Sequence, residues 1–196
     1  MVAGAAARAR ETSFAGHSVD GVPQTASGLV YCFRTETINR RDHKEGERDG
    51  ECRAQGHVVW EGDLPSGSGR VTADSSKVLK EAPVTWASRV ERPDGKTSPE
   101  ELIAAAHASC YSMAFSNVLA QKDAPPVRLG VEAVATFDAD QVKITTVDLN
   151  VRGEVPGMSD EEFDAAAHEA DQGCPVSNAL RGNVEIRVHA QLSARG

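Results

Sequence analysis

A chain of 196 residues, 40% hydrophobic and only 5% aromatic, has material for one core built from Ala, Val, Leu and Ile rather than from rings. Its formal charge of −8 argues against the clustered basic surface that nucleic acid or an anionic membrane requires, so neither is an expected partner. No apolar run resembling a leader core stands in Met1 to Arg10, and no segment approaches the roughly 18 apolar residues of a membrane helix. The expected compartment is therefore the cytosol, where Cys32, Cys52, Cys110 and Cys174 should be reduced unless a disulfide belongs to a catalytic cycle.

Residues 1–54 read as a disordered or loosely attached tail. Between Thr35 and Ala54 the only large aliphatic residue is Ile38, too little apolar surface to offset the entropy of ordering. The tail holds eight Lys/Arg and eight Asp/Glu, so the whole −8 falls on the predicted folded domain, residues 55–196. There Val58-Val59-Trp60 predicts a strand, Ser66 to Gly69 a turn, and Arg70 to Thr72 the return strand. Val84 to Val90 reads as extended, and Arg92-Pro93-Asp94-Gly95 as a turn.

Ser98-Pro99-Glu100-Glu101 carries a cap serine, a proline at the first helical position and a glutamate three residues after the cap. The helix it starts runs to about Gln121 and is apolar nearly all round, which predicts a buried helix through the centre of the fold. Period-two alternation follows in 127–137, 141–155 and 184–192, three strands each with one buried face, the first two joined as a hairpin. A second helix spans Ser159 to about Gln172, with Gly173 as its expected terminator.

Two cysteines stand where chemistry is conceivable. Cys110 lies mid-helix, where a free thiol usually just packs. Cys174, before Pro175, is placed to cap a new helix, and unpaired N–H groups there favour thiolate. Sequence spacing leaves open whether the two meet. His107 and His168 could join them in a zinc site, but no C-x-x-C pair or familiar zinc spacing accompanies them. A Cys110/His107 dyad has no visible orienting acid. No metal or cofactor is expected.

The strings Thr97-Ser98-Pro99-Glu100-Glu101-Leu102-Ile103-Ala104-Ala105-Ala106-His107-Ala108-Ser109-Cys110 and Gly173-Cys174-Pro175-Val176-Ser177 resemble the OsmC/Ohr family, the osmotically inducible protein C and organic hydroperoxide resistance proteins. Trp60-Glu61-Gly62-Asp63-Leu64 and the following Ser-Gly run are more similar to the OsmC branch. The resemblance implies an α+β fold: an intertwined homodimer with long buried central helices wrapped by antiparallel sheets. It implies a thiol peroxidase acting on organic hydroperoxides, and less efficiently on hydrogen peroxide, with a small dithiol reductant, lipoyl-type compounds included. Cys110 matches the attacking cysteine and Cys174 the resolving one. Arg89 matches the activating arginine and Glu100 its partner. The chemistry is coherent, since a guanidinium lowers a thiol's pKa and a carboxylate holds the guanidinium. Readings from other classes are a small-molecule binding module that lost the redox cycle and a zinc-stabilised structural protein.

Overall fold

The computed structural model describes residues 51–193, and the account here concerns the compact unit that begins at Ala54. The predicted tail lies, but for its last few residues, outside the described residues, and Cys32 with it. Cys52 is disulfide-bonded, so the expectation of reduced thiols does not hold for it.

The first layer is a small antiparallel sheet of β1 (Gly56–Glu61), β2 (Ser68–Ala73) and β3 (Ala82–Val84) in that order. The reversal between β1 and β2 falls earlier than Ser66 to Gly69. Gly62 takes a positive φ of 88°, Asp63 accepts from the amide and hydroxyl of Ser66, and β2 already begins at Ser68. A side chain at Gly67 would collide with the Asp63 carbonyl, so the loop closes only with glycine there.

The extended reading of Val84 to Val90 is corrected. β3 stops at Val84, and Trp86–Val90 forms the short helix α1. Thr85 caps it: its hydroxyl accepts from the Ser88 amide, and the Ser88 hydroxyl lies 3.0 Å from the Thr85 amide, a reciprocal box. Local capping outweighed the β-branched residues at both ends of the segment.

Helix α2 (Pro99–Gln121) starts as expected, with the Ser98 hydroxyl accepting from the Glu101 amide at 3.1 Å. It lies on β4 (Arg128–Asp138) and against α3 (Asp160–Gly173). One face supplies the core residues Tyr111, Phe115 and Leu119, all 0% exposed, which meet Phe163 and the small Ala166, Ala167 and Ala170 of α3. Phe115 tilts against Phe163 at 5.0 Å, and the Tyr111 hydroxyl donates to the Ala167 carbonyl at 2.7 Å. Burying each ring contributes about 1.5–3 kcal/mol. The other faces of α2 remain open within one chain, with Ala105, Ala106, Ser109 and Met113 exposed. Burial on every side, predicted from composition, is thus not what a single chain provides. By length and composition α2 is also apolar enough to cross a membrane, which corrects the reading that no segment comes near. Its buried Glu100 and His107 and its packing onto α3 and β4 make it a core helix here.

The second sheet has the order β4-β5-β6, with β5 (Lys143–Glu154) in the centre and β6 (Glu185–Leu192) at the far edge. Central position explains why Val147, Leu149 and Val151 are its most buried residues. Gly153 has no room for a Cβ, because the Phe163 ring lies flush against it. β4 and β5 form the expected antiparallel hairpin, but β5 and β6 run parallel, Leu149 beside Val188. The sheets are therefore not wholly antiparallel. The helical crossover between β5 and β6, α3 and then α4 (Pro175–Leu180), is long enough to return the chain in the same direction.

Candidate active site

The break between α3 and α4 builds one side of the site. Gly173 is not left-handed and stays within α3, against expectation; the helix ends because Cys174 turns to φ −82°, ψ 116° and Pro175 follows. Cys174 then caps α4 as predicted, its Sγ accepting from the Ser177 amide at 3.5 Å. Pro175 has no N–H to offer, so the first free amides of α4 are those of Val176 and Ser177. The Ser177 amide donates to the Cys174 sulfur, and the Val176 amide lies on the Cys110 side and favours that thiolate. Cys110 and Cys174, 64 residues apart, are within hydrogen-bonding reach of each other, and both are free thiols. Their juxtaposition was left open by the sequence and is settled by the packing of α4 on α2.

Two further groups complete this cluster. His107, one turn before Cys110, is 0% exposed, and its Nε2 lies 2.8 Å from the Ser177 Oγ. Its Nδ1 is buried with no partner. Burial works against ionising Cys174, but hydrogen bonds from His107, the Ser177 amide, the Ser177 hydroxyl and Cys110 outweigh it and bring the thiol down to about 6. Burial pushes Cys110 up; the Val176 amide opposes this, while the hydrogen bond and charge of Cys174 push it further. Within one chain the surroundings thus favour the thiolate of Cys174 over that of Cys110. Ser177 and the Val176 amide escaped the sequence reading as working groups. Their signal was the cap string itself, which specifies which amides are left unpaired.

Arg89 and Glu100 form a second cluster at the start of α2. The guanidinium grips one carboxylate oxygen twice, Nε at 2.8 Å and Nη2 at 2.7 Å from Oε1. Glu100 is 7% exposed, and its Oε2 is buried without a partner. The Arg89 Cζ also sits 3.9 Å from the centre of the Phe137 ring and 5.7 Å from that of Trp86. Phe137, near the end of β4, was not anticipated. Glu100 and Cys110 are ten residues apart on α2, about 15 Å along its axis. Arg89 is not among the groups that shift Cys110. One chain therefore brings the four sequence-predicted residues together as two pairs, not as one cluster. His168 is exposed and bonded to Asp164, and among the described residues no three His, Cys, Asp or Glu side chains converge on a metal position.

A core helix carrying one thiol, a second thiol capping a helix beside it, and an α+β frame around both agree with the comparisons. Residues 92–189 match the family model described as OsmC-like protein. The chain is 37% identical over 134 residues to "Peroxiredoxin OsmC" of Escherichia coli strain K12, covering 67% of this chain and 92% of that protein. It is 35% identical over 107 residues to "Organic hydroperoxide resistance protein-like 1" of Staphylococcus epidermidis, covering 52% and 75%. The fold is also that of an organic hydroperoxide resistance protein OsmC from Legionella pneumophila, with TM-score 0.54, 22% identity and coverage of 74% and 100%. An OsmC-like protein from Mycoplasma pneumoniae gives TM-score 0.57 at 15% identity, with coverage of 74% and 99%. This chain belongs to the OsmC family.

Proposed function

We propose that this protein is a cytosolic thiol-dependent peroxidase that reduces organic hydroperoxides, and hydrogen peroxide less well. The observation that carries this reading is the pair of free thiols, Cys110 and Cys174, each beside one amide of the same helix turn. The names of the peroxiredoxin and hydroperoxide-resistance relatives support the substrate class. In the proposed cycle the Cys110 thiolate attacks the O–O bond, releasing an alcohol and leaving a sulfenic acid. Cys174 condenses with that sulfur, water leaves, and a disulfide forms. A small dithiol, lipoyl-type among others, then exchanges with the disulfide to restore both thiols.

Cys110 needs a cation that its own chain does not put beside it. We assign this role to Arg89, oriented by Glu100, of a second copy packed antiparallel along α2, so that the start of one helix lies beside the middle of the other. The open apolar face of α2, with Met113 60% exposed, supports such a homodimer. So does β1, whose Val58, Val59 and Trp60 are 53%, 55% and 39% exposed. The guanidinium would lower the Cys110 thiol toward its thiolate and hold the peroxide oxygens.

The test is peroxide consumption with cumene hydroperoxide and hydrogen peroxide, using small dithiols as donors. Cys110→Ser should abolish reduction of both. Cys174→Ser should allow one equivalent to be reduced and then stall. Sustained turnover by Cys110→Ser would sink the mechanism.

A further inference from the structure

His107 and Ser177 have no part in the cycle above, yet both are fully buried and both face Cys174. We propose that His107 is a positioning residue which, through Ser177, holds Cys174 as the resolving thiolate. The direction of the hydrogen bonds follows from counting protons. A serine has one proton to give. Directed at the sulfur, it leaves the Ser177 Oγ as an acceptor, so the His107 Nε2, at 2.8 Å, must donate. The other ring nitrogen agrees. Nδ1 is buried without a partner, and an imidazolium would leave a charged N–H orphaned there, whereas the neutral ring leaves only a lone pair. His107 is therefore the neutral Nε2–H tautomer. The relay runs from His107 Nε2–H through Ser177 to the Cys174 sulfur, which the Ser177 amide also meets at 3.5 Å; His107 favours the thiolate both directly and through the serine, without a counter-cation.

The other ionisable groups near Cys174 are accounted for. On α2, Cys110 is the coupled thiol, and Tyr111 gives its proton to the Ala167 carbonyl. Burial holds Tyr111 neutral, helped by Asp171, Cys174 and Asp164. On α3, Asp171 is paired with Arg181 at 2.9 Å.

The inference rests on the peroxidase reading for its purpose. The step it serves is attack of the Cys174 thiolate on the Cys110 sulfenic acid: the S–S bond forms, the S–O bond breaks, and the oxygen leaves as hydroxide, which a proton from the buffer turns to water. The Cys174 sulfur is oxidised, the sulfenic sulfur is reduced to the same level, and no further reagent enters.

The experiment has two arms. In the Cys110→Ser protein, alkylation of Cys174 by iodoacetamide is followed against pH by peptide mass spectrometry, which needs no peroxide. The midpoint should lie below that of an ordinary thiol. His107→Leu and Ser177→Ala should each move it up by at least about one unit, so that alkylation well below the parent's midpoint slows about tenfold. His107→Gln, which keeps an N–H near the Nε2 position, should restore most of the rate; a purely structural role would not separate Gln from Leu. In the second arm, with Cys110 present, one equivalent of cumene hydroperoxide is added. Trapped with a cyclic 1,3-diketone, the sulfenic acid formed in the variants should persist about tenfold longer than in the parent. Unchanged midpoints in Ser177→Ala and His107→Leu overturn the relay; should His107→Leu not fold, an unchanged midpoint in Ser177→Ala alone does so. No burst in the parent overturns the peroxidase reading and leaves the alkylation result standing.

Discussion

The two ends of the proposed chemistry sit on one helix and handle charge in opposite ways. At the start of α2 a cation and an anion are locked together, Arg89 on Glu100, with a ring beneath the guanidinium. Ten residues on, Cys110 meets Cys174, the cap of α4, whose thiolate is favoured by neutral donors alone, two of them supplied by Ser177. The ion pair orients the guanidinium while leaving its positive charge partly balanced. The thiol pair keeps a thiolate ready but puts it on the cysteine that is not proposed to attack. Each cluster keeps one buried polar atom without a partner, Glu100 Oε2 in one and His107 Nδ1 in the other. On the proposed reading the difference is one of position: a guanidinium has to be brought to Cys110, and Arg89 of the same chain is not among the groups that act on it.

The sharpest way to break this comparison is to mix subunits. Cys110→Ser should be inactive alone, and Arg89→Ala should keep only about 1–10% of the wild-type rate. In a mixed dimer with shared sites, one site carries both defects and the other carries neither, so activity should return from background to about half of the wild-type rate per dimer. If mixing after reversible dissociation restores nothing, each chain serves its own thiol. The loop carrying Arg89 would then have to reach Cys110 within the chain, and the two-cluster picture would be wrong.

A smaller effect separates the two clusters by pH. The Cys174 thiol is held down at about 6, below an ordinary thiol, so its ionisation favours the folded state. The sign follows: this contribution is complete above the ordinary thiol value and is lost as pH falls through about 6. Between those limits thermal stability should rise with pH in the parent more than in Cys174→Ser. Arg89→Ala should leave that slope alone yet slow peroxide attack by about 10- to 100-fold, and Arg89→Lys should recover part of the rate, because an ammonium carries the charge without the fork. Equal pH slopes with and without Cys174 would show that the thiolate belongs elsewhere.

Much of this was legible before any coordinates. The cap at Ser98 and Pro99, the three alternating strands and the Cys174 cap are local signals, written within a few residues, and they survive in the fold. What failed was non-local or subtle. Period-two alternation in β6 is the same whether its neighbour runs parallel or antiparallel, so the parallel pairing with β5 left no trace. The Thr85–Ser88 box was hidden between two valines, and α1 was taken for strand. At the site, the residues themselves pointed to Cys110 and Cys174 and the family resemblance to Arg89 and Glu100, but their division into two pairs depends on helix packing. His107 was visible only as a metal or dyad candidate, because its partner Ser177 lies 70 residues away.

The least disruptive probe of the Arg89 cluster is Phe137. The β4–β5 register shifts between Thr136 and Phe137, and such an irregularity re-aims the side chain that follows it. Here it presents a ring face to a guanidinium carbon 3.9 Å away. A cation over a ring at that distance contributes about 0.5–2 kcal/mol, depending on how dry the contact is, and Arg89 keeps 25% side-chain exposure. Phe137→Leu keeps an apolar group at the end of β4 and removes the π face. Glu100 still holds the guanidinium from one side, so the cation should loosen rather than leave. Peroxide attack should slow by about two- to fivefold, with Cys174 alkylation unchanged, since that thiol draws nothing from this cluster. Trp86→Leu should do less, because its ring lies 5.7 Å from the same carbon. Stopped-flow rates on the three proteins decide it. An unchanged rate in Phe137→Leu would mean that Glu100 alone sets the arginine, and a changed Cys174 profile would mean that the two ends of α2 communicate within one chain.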